Sequence, residues 1–320
     1  MNRRGIIVAN PHGFCAGVER AIGMAEAALA AYPRPIYCLR EIVHNQQVIG
    51  DLAARGVVFV PDVRDIPAGS TVLFSAHGVA PAVRAEAGRR ELRVVDATCP
   101  FVVKIHLEVR RYAAEGYAIL LIGDRTHDEI VGVAGEAPGR VTVIQTEAEA
   151  RAVAVGDPSR LAVMTQTTLS TDDIERVLQA LRERFPLLKT PPRSDVCYAT
   201  RNRQEAARAL ARRAELVVVL GAANSSNSNR LVEVARSAGC RAALVSASDA
   251  LASLALDGVN TLGLTAGAST PESCMREALA VLKQRGFAEV EELVAAREAI
   301  HFALPGELSQ RAGGRPPAVP

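Results

Sequence analysis

Ile6-Ile7-Val8-Ala9-Asn10-Pro11-His12-Gly13-Phe14-Cys15-Ala16-Gly17-Val18 is the stretch that decides the fold of this chain. Its first four residues make an apolar run of strand length. A loop follows and delivers Cys15. Beyond the cysteine, Val18, Ile22, Ala25 and Leu29 keep helical spacing. The stretch therefore predicts a strand, a cysteine loop and a helix. The same order returns twice. Leu92 to Val95 lead to Cys99, and Val102, Ile105, Val109 and Tyr112 repeat the helical spacing behind it. A weaker β-like stretch leads to Cys197, followed by Ala206, Leu210 and Ala214.

The repeat extends further along each unit. A second strand is expected near Ile36, Ile119 and Leu216, which lie 21, 20 and 19 residues past their cysteines. Each leads into a polar loop: Glu41 to Asn45, Asp124 to Glu129, and Asn224 to Asn229. Third strands are predicted at Val57–Val60, Val141–Ile144 and Ala242–Val245, and fourth strands at Thr71–Phe74, Leu161–Met164 and Thr261–Leu264. The fourth strands end in Ser75 to Gly78, Thr165 to Thr168, and Thr265 to Ser269. Strands alternating with helices predict α/β lobes with parallel sheets. In such sheets ligands gather at the carboxyl ends of the strands, where all these loops lie. The expected lobes are 1–96, 97–193 and 194–284, with one cysteine each, and an extension over 285–320. Gly313 to Pro320 reads as a disordered tail.

Composition bounds the function. Of 320 residues, 49% are hydrophobic, enough for a sizeable core. Lys and Arg number 37 against 35 Asp and Glu, which gives no general attraction for nucleic acid or an anionic membrane. The first apolar run is too short for a signal peptide, and no stretch approaches the roughly 18 uninterrupted apolar residues of a membrane span. A cytoplasmic protein with reduced cysteines is expected. No two glycines stand two apart and no Gly-Lys pair exists, which disfavours nicotinamide and P-loop nucleotide enzymes.

Cys15, Cys99 and Cys197 share a setting just before a helix, where a thiolate is stabilised and can bind metal. Cys38 falls in a strand, Cys240 at a helix end and Cys274 inside a helix pattern, so these read as ordinary small residues. The absence of local C-x-x-C pairs argues against a structural zinc site. Three thiolates spaced 84 and 98 residues apart suit an iron–sulfur cluster better, with one iron left open.

Together, Asn10 to Val18, Asp96-Ala97-Thr98-Cys99-Pro100, Cys197-Tyr198-Ala199-Thr200, Ile42 to Asn45, Ser75 to Gly78, Thr165 to Ser170, Asn224 to Leu231 and Thr265 to Ser269 resemble one family. It is the 4-hydroxy-3-methylbut-2-enyl diphosphate reductase family, also called LytB or IspH, and the likeness runs from about residue 6 to 305. The resemblance implies an α/β trefoil around a central [4Fe–4S] cluster held by Cys15, Cys99 and Cys197. It implies reductive loss of the substrate hydroxyl with two electrons and two protons, giving isopentenyl and dimethylallyl diphosphate. The implied electron donor is a ferredoxin or flavodoxin. His44, His77, Ser225, Ser226, Asn227 and Ser269 would hold the diphosphate. His127 would reach the substrate, Glu129 would donate the proton and Thr167 would hold the alcohol.

Each of these residues also has a plainer reading. Asn224 to Asn229 has the makings of a helix cap. His106, on a helix face, reads as structural. The chain also departs from the family pattern. His12 stands where Arg is usual, Arg40 where His is common, and Asp128 where Pro is common. A second carboxylate beside Glu129 is expected to raise a pKa. The readings from other classes are a cluster-bearing redox or iron sensor without turnover, and a zinc protein using the same thiolates.

Overall fold

The computed structural model describes residues 4–191, 194–246 and 248–311. In chain order the strands are β1 (Arg4–Asn10), β2 (Ile36–Leu39), β3 (Val57–Val60), β4 (Thr71–Phe74), β5 (Arg93–Asp96) and β6 (Ala118–Ile122). There follow β7 (Val141–Ile144), β8 (Leu161–Thr165), β9 (Leu216–Leu220), β10 (Arg241–Val245), β11 (Thr261–Ala266) and β12 (Phe287–Val294). They form three sheets, ordered β3-β2-β4-β5, β7-β6-β8 and β10-β9-β11-β1-β12. Every pairing between these strands is parallel.

The sequences of the central strands account for this. A parallel strand covered on both faces must be apolar along its whole length. All five residues of both β8 and β9 are buried. In β1 the two faces separate with the period of a strand. Ile6 and Val8 pack with Val218, Leu262 and Leu264, while Ile7 and Ala9 pack with Leu210, Val217 and Val219 on the opposite side. Between strands, the Cys15 helix (Ala16–Ala31), the Cys99 helix (Pro100–Ala114) and the Cys197 helix (Tyr198–Ala211) lay their apolar stripes on the sheets. Val102, Ile105, Val109 and Tyr112 are all buried, as their spacing predicts. Ala214 lies past the end of its helix.

Three placements differ from the sequence expectation. β1 does not join the sheet of residues 36–96; it pairs with β11 and β12 in the third sheet. The expected first lobe thus gives its first strand to the last one. The extension past residue 285 supplies β12, an edge strand parallel to β1 whose residues are mostly exposed, with Glu289, Glu291 and Glu292 among them. Those charges interrupt its apolar pattern and guard the sheet edge against further pairing. Before Cys197 no strand forms among the described residues; Lys189 makes a single parallel bridge to Ala162. The expected tail, Gly313 to Pro320, lies outside the described residues.

These departures share a pattern. The segment before each cysteine adds to the fourth strand of another unit: β5 to β4, Lys189 to β8, and β1 to β11. Each cysteine loop is therefore a crossing from one lobe to the next. The pairing of β1 with β11 closes the ring. No helix among the described residues is long and apolar enough to cross a membrane.

Candidate active site

The three crossings place their cysteines by one repeated hydrogen bond. The backbone N–H of Cys15 donates to the carbonyl of Ala268 (3.2 Å), that of Cys99 to Ala76 (3.0 Å), and that of Cys197 to Thr167 (3.2 Å). All three acceptors stand two residues past the end of a fourth strand. Each cysteine is the N-cap of its helix. The helices run 16, 15 and 14 residues, long enough for their N-terminal dipoles to favour thiolate. The three side chains line one cavity.

That cavity fits a metal centre. Burial, with the other cysteines adding to it, pushes the Cys99 thiol up to about 12 and that of Cys197 to about 11. Thiols crowded in this way ionise together only with a cation between them. Gly17 faces them. A Cβ there would stand 2.6 Å from Cys99 Sγ and 3.8 Å from Cys15 Sγ, so only glycine leaves the space open. Cys38 is instead buried in β2, Cys240 Sγ donates to Ala214 O, and Cys274 Sγ to Gln47 Oε1.

A second cluster lies across the same cavity. His44, His77 and His127 come from three different loops. The His44 and His77 rings stack with centroids 4.3 Å apart, and each meets the edge of His127 at 5.4 Å. Burial lowers the His77 pKa well below the usual value, and the neighbouring imidazoles lower it further. Burial and then His44 bring His127 down to about 4, against the pull of Asp128 and Asp124. His77 and His127 are therefore neutral at pH 7. The Nδ1 of His127 accepts the N–H of Glu129 (3.2 Å), which leaves its proton on Nε2 as a donor. His44 Nδ1 donates to Glu41 (2.8 Å), which also accepts from Asn224 Nδ2 (2.8 Å).

Glu129 is 2% exposed. Its carboxyl accepts both the N–H (2.7 Å) and the hydroxyl (2.8 Å) of Thr167. Burial pushes its pKa up to about 7 against those two hydrogen bonds, and the nearby Asp195 raises it further. Asp195 is itself buried and raised to about 6, with Lys104 Nζ at 3.1 Å and the Thr165 N–H at 3.0 Å. The second carboxylate expected from the sequence, Asp128, is not among the causes; it pairs with Arg40.

Polar groups of the third lobe complete the wall. Ser225 caps the helix Ser226–Ser237 by accepting the Ser228 N–H. The capping reading of Asn224 to Asn229 thus holds for Ser225, and Ser226 to Asn229 form the first helical turn. Asn227 differs: it is 5% exposed, and neither its Nδ2 nor its Oδ1 has a partner among the described residues. A buried amide with both ends free offers a donor and an acceptor to a polar ligand or a water. Ser226 Oγ accepts from the Thr168 hydroxyl (2.9 Å), and Ser269 Oγ donates to the His44 carbonyl (2.9 Å).

The residues expected from the sequence therefore meet in one cavity. His106 stands outside it, with Nδ1 2.6 Å from Glu136. His12 contacts the Ala9 carbonyl and Glu272. Two groups were missed. Asp195 had only its nearness to Cys197 as a signal. Arg203, fully buried, donates to the carbonyls of Gly13, Phe14 and Ala199 and to Glu298, tying the Cys15 loop to the Cys197 helix. A lone Arg in an amphipathic helix gives no sequence signal for that.

Comparison with known proteins finds relatives along nearly the whole chain. The family described as LytB protein matches residues 6–283. The 4-hydroxy-3-methylbut-2-enyl diphosphate reductase of Acidothermus cellulolyticus is 49% identical over 98% of this chain and 93% of its own length. The second such reductase of Mycobacterium tuberculosis is 49% identical over 96% and 92%. Among solved structures, the E-1-hydroxy-2-methyl-but-2-enyl-4-diphosphate reductase of Plasmodium falciparum superposes with a TM-score of 0.92 at 34% identity, covering 96% of this chain and 98% of its own. A second reductase structure, described as the terminal enzyme of the non-mevalonate pathway, gives 0.62 at 29% identity over 88% and 99%.

Proposed function

We infer the function from one premise: the chain belongs to the LytB family. It is an oxidoreductase that removes the hydroxyl of 4-hydroxy-3-methylbut-2-enyl diphosphate, the last step of the non-mevalonate isoprenoid pathway. The family's cofactor is iron–sulfur. We assign it here as a [4Fe–4S] cluster on Cys15, Cys99 and Cys197, with a ferredoxin or flavodoxin as electron donor. A cytoplasmic setting fits, because it keeps the thiols reduced. When bound, the cluster supplies electrons and an open Lewis-acidic iron for the substrate hydroxyl.

The observation that carries the reading is the buried Glu129–Thr167 pair, in the same cavity as the thiols and imidazoles. Cleaving a C–O bond releases hydroxide unless an acid stands by. Glu129, held near pKa 7, is protonated in about half the molecules at neutral pH, where an ordinary carboxyl would be ionised. Once the carboxyl is protonated, its 2.8 Å contact to Thr167 reverses: the carboxyl donates and the threonine hydroxyl passes its own proton to the alcohol. One proton leaves in water, the other is added to carbon, and the two electrons replace the broken C–O pair.

The diphosphate is assigned to the opposite wall. His127 donates from Nε2; His44, His77 and Ser269 stand on its flanks. The unpartnered Asn227 and the start of the helix Ser226–Ser237, with Ser225 and Ser226, offer the N–H and O–H groups an anion takes up. Val43, Ala76, Phe101 and Ala268 give the cavity apolar stretches suited to a five-carbon chain. A sensor without turnover has no use for a buried acid paired with Thr167. Anaerobic incubation with the substrate and a chemical reductant tests the reading. Formation of isopentenyl and dimethylallyl diphosphate is expected; iron-loaded protein that makes neither overturns it.

A further inference from the structure

Two charged residues far apart in the chain meet in space. Arg40 follows β2 on one side of the cavity, and Asp128 opens the short helix Asp128–Ala134 on another, 88 residues later. Arg40 Nη1 donates to Asp128 Oδ1 in a close ion pair. The Asp128 side chain is 18% exposed and that of Arg40 46%. The backbone of Arg40 lies in the left-handed region, φ 57°, which a non-glycine residue adopts at a cost. Its N–H is fixed on Val60 O at 2.7 Å.

The placement of Asp128 gives this pair its consequence. It sits between His127 and Glu129, whose side chains face the cavity. A proline at 128 would hold the local backbone through its own ring. Aspartate gives up that restraint, and the bond to Arg40 ties the same segment from outside, across the gap between two sheets. Asp62 also lies near enough to feel the charge of Arg40, yet it hydrogen-bonds Arg64. A half-exposed pair contributes little to overall stability. Its effect is local to the segment it holds.

We propose that Arg40 and Asp128 form a clamp between lobes that positions the His127–Glu129 segment for proton delivery. The proposal rests on the reading of Glu129 as the donor. Neither clamp residue is among those lining the cavity; both are positioning residues.

A double-mutant cycle on the iron-loaded enzyme tests it. Arg40→Ala and Asp128→Ala are each expected to lower kcat about tenfold, ~1.4 kcal/mol, with iron content and Tm unchanged. The double variant should be no slower than either single one. The exchanged pair, Arg40→Asp with Asp128→Arg, should recover most of the loss, which a merely structural effect of the single changes would not. Hydrogen exchange of the amides from Glu129 to Ala134 supplies a second readout: faster in Arg40→Ala, slowed again in the exchanged pair. Unchanged kcat in the single variants, or a double variant that multiplies their losses, overturns the clamp. Glu129→Gln is measured beside them. Normal turnover there removes the donor role, while coupling between Arg40 and Asp128 still decides the clamp.

Discussion

Glu129 carries the chemistry at the residue scale, through burial more than through sequence neighbours. Its carboxyl has lost water and gained two hydrogen bonds from Thr167, and the loss of water wins. The donor form is the protonated one, present below about pH 7 and lost above it. Turnover is therefore expected to fall as pH rises through about 7. Glutamine keeps the shape and removes the acid, so Glu129→Gln should bind iron and substrate yet turn over at least about 100-fold more slowly, without that alkaline limb. Steady-state rates across pH for the two proteins are the check; an unaltered rate or limb removes the assignment. At this scale the sequence was most legible where chemistry and position coincide. Cysteines before helices and histidines in loops after strands were found. The partner of Asp128 was not, because a carboxylate beside Glu129 in sequence points away from it in space. Asp195, 66 residues further on, is the neighbour Glu129 feels.

At the scale of elements, the decisive contacts are those that fix loops to helices. The buried guanidinium of Arg203 bonds two carbonyls of the Cys15 loop, Gly13 and Phe14, and the Glu298 carboxylate. Arg203→Met keeps bulk but leaves these acceptors unpaired. Breaking a buried pair of this kind typically costs about 3–5 kcal/mol. The variant should melt at lower temperature and hold less iron per chain, read by thermal unfolding and metal analysis; full iron with an unshifted Tm contradicts the role. Helices and central strands were legible from their spacing, since each presents a regular apolar face. β12 was not, because Glu289, Glu291 and Glu292 interrupt its apolar residues and only Phe287 is buried. The stretch before Cys197 was overread: its only described ladder contact is the bridge of Lys189.

At the scale of the molecule, three similar units close into a ring by lending a segment to a neighbour. The unit order was visible in the sequence, but the lending was not. Ile6 to Ala9 precede Cys15 in the chain and were assigned with it, while their apolar faces belong to the clusters of the third lobe. Local pattern fixes that a segment is a strand; which sheet takes it depends on pairing with β11, more than 250 residues away. The same closure turns three distant cysteines into one site. Iron bound per chain after anaerobic purification, measured for the six single Cys→Ser variants, tests that claim most directly. The account predicts iron lost from the variants at Cys15, Cys99 and Cys197 and retained in those at Cys38, Cys240 and Cys274; normal iron in Cys99→Ser would contradict it.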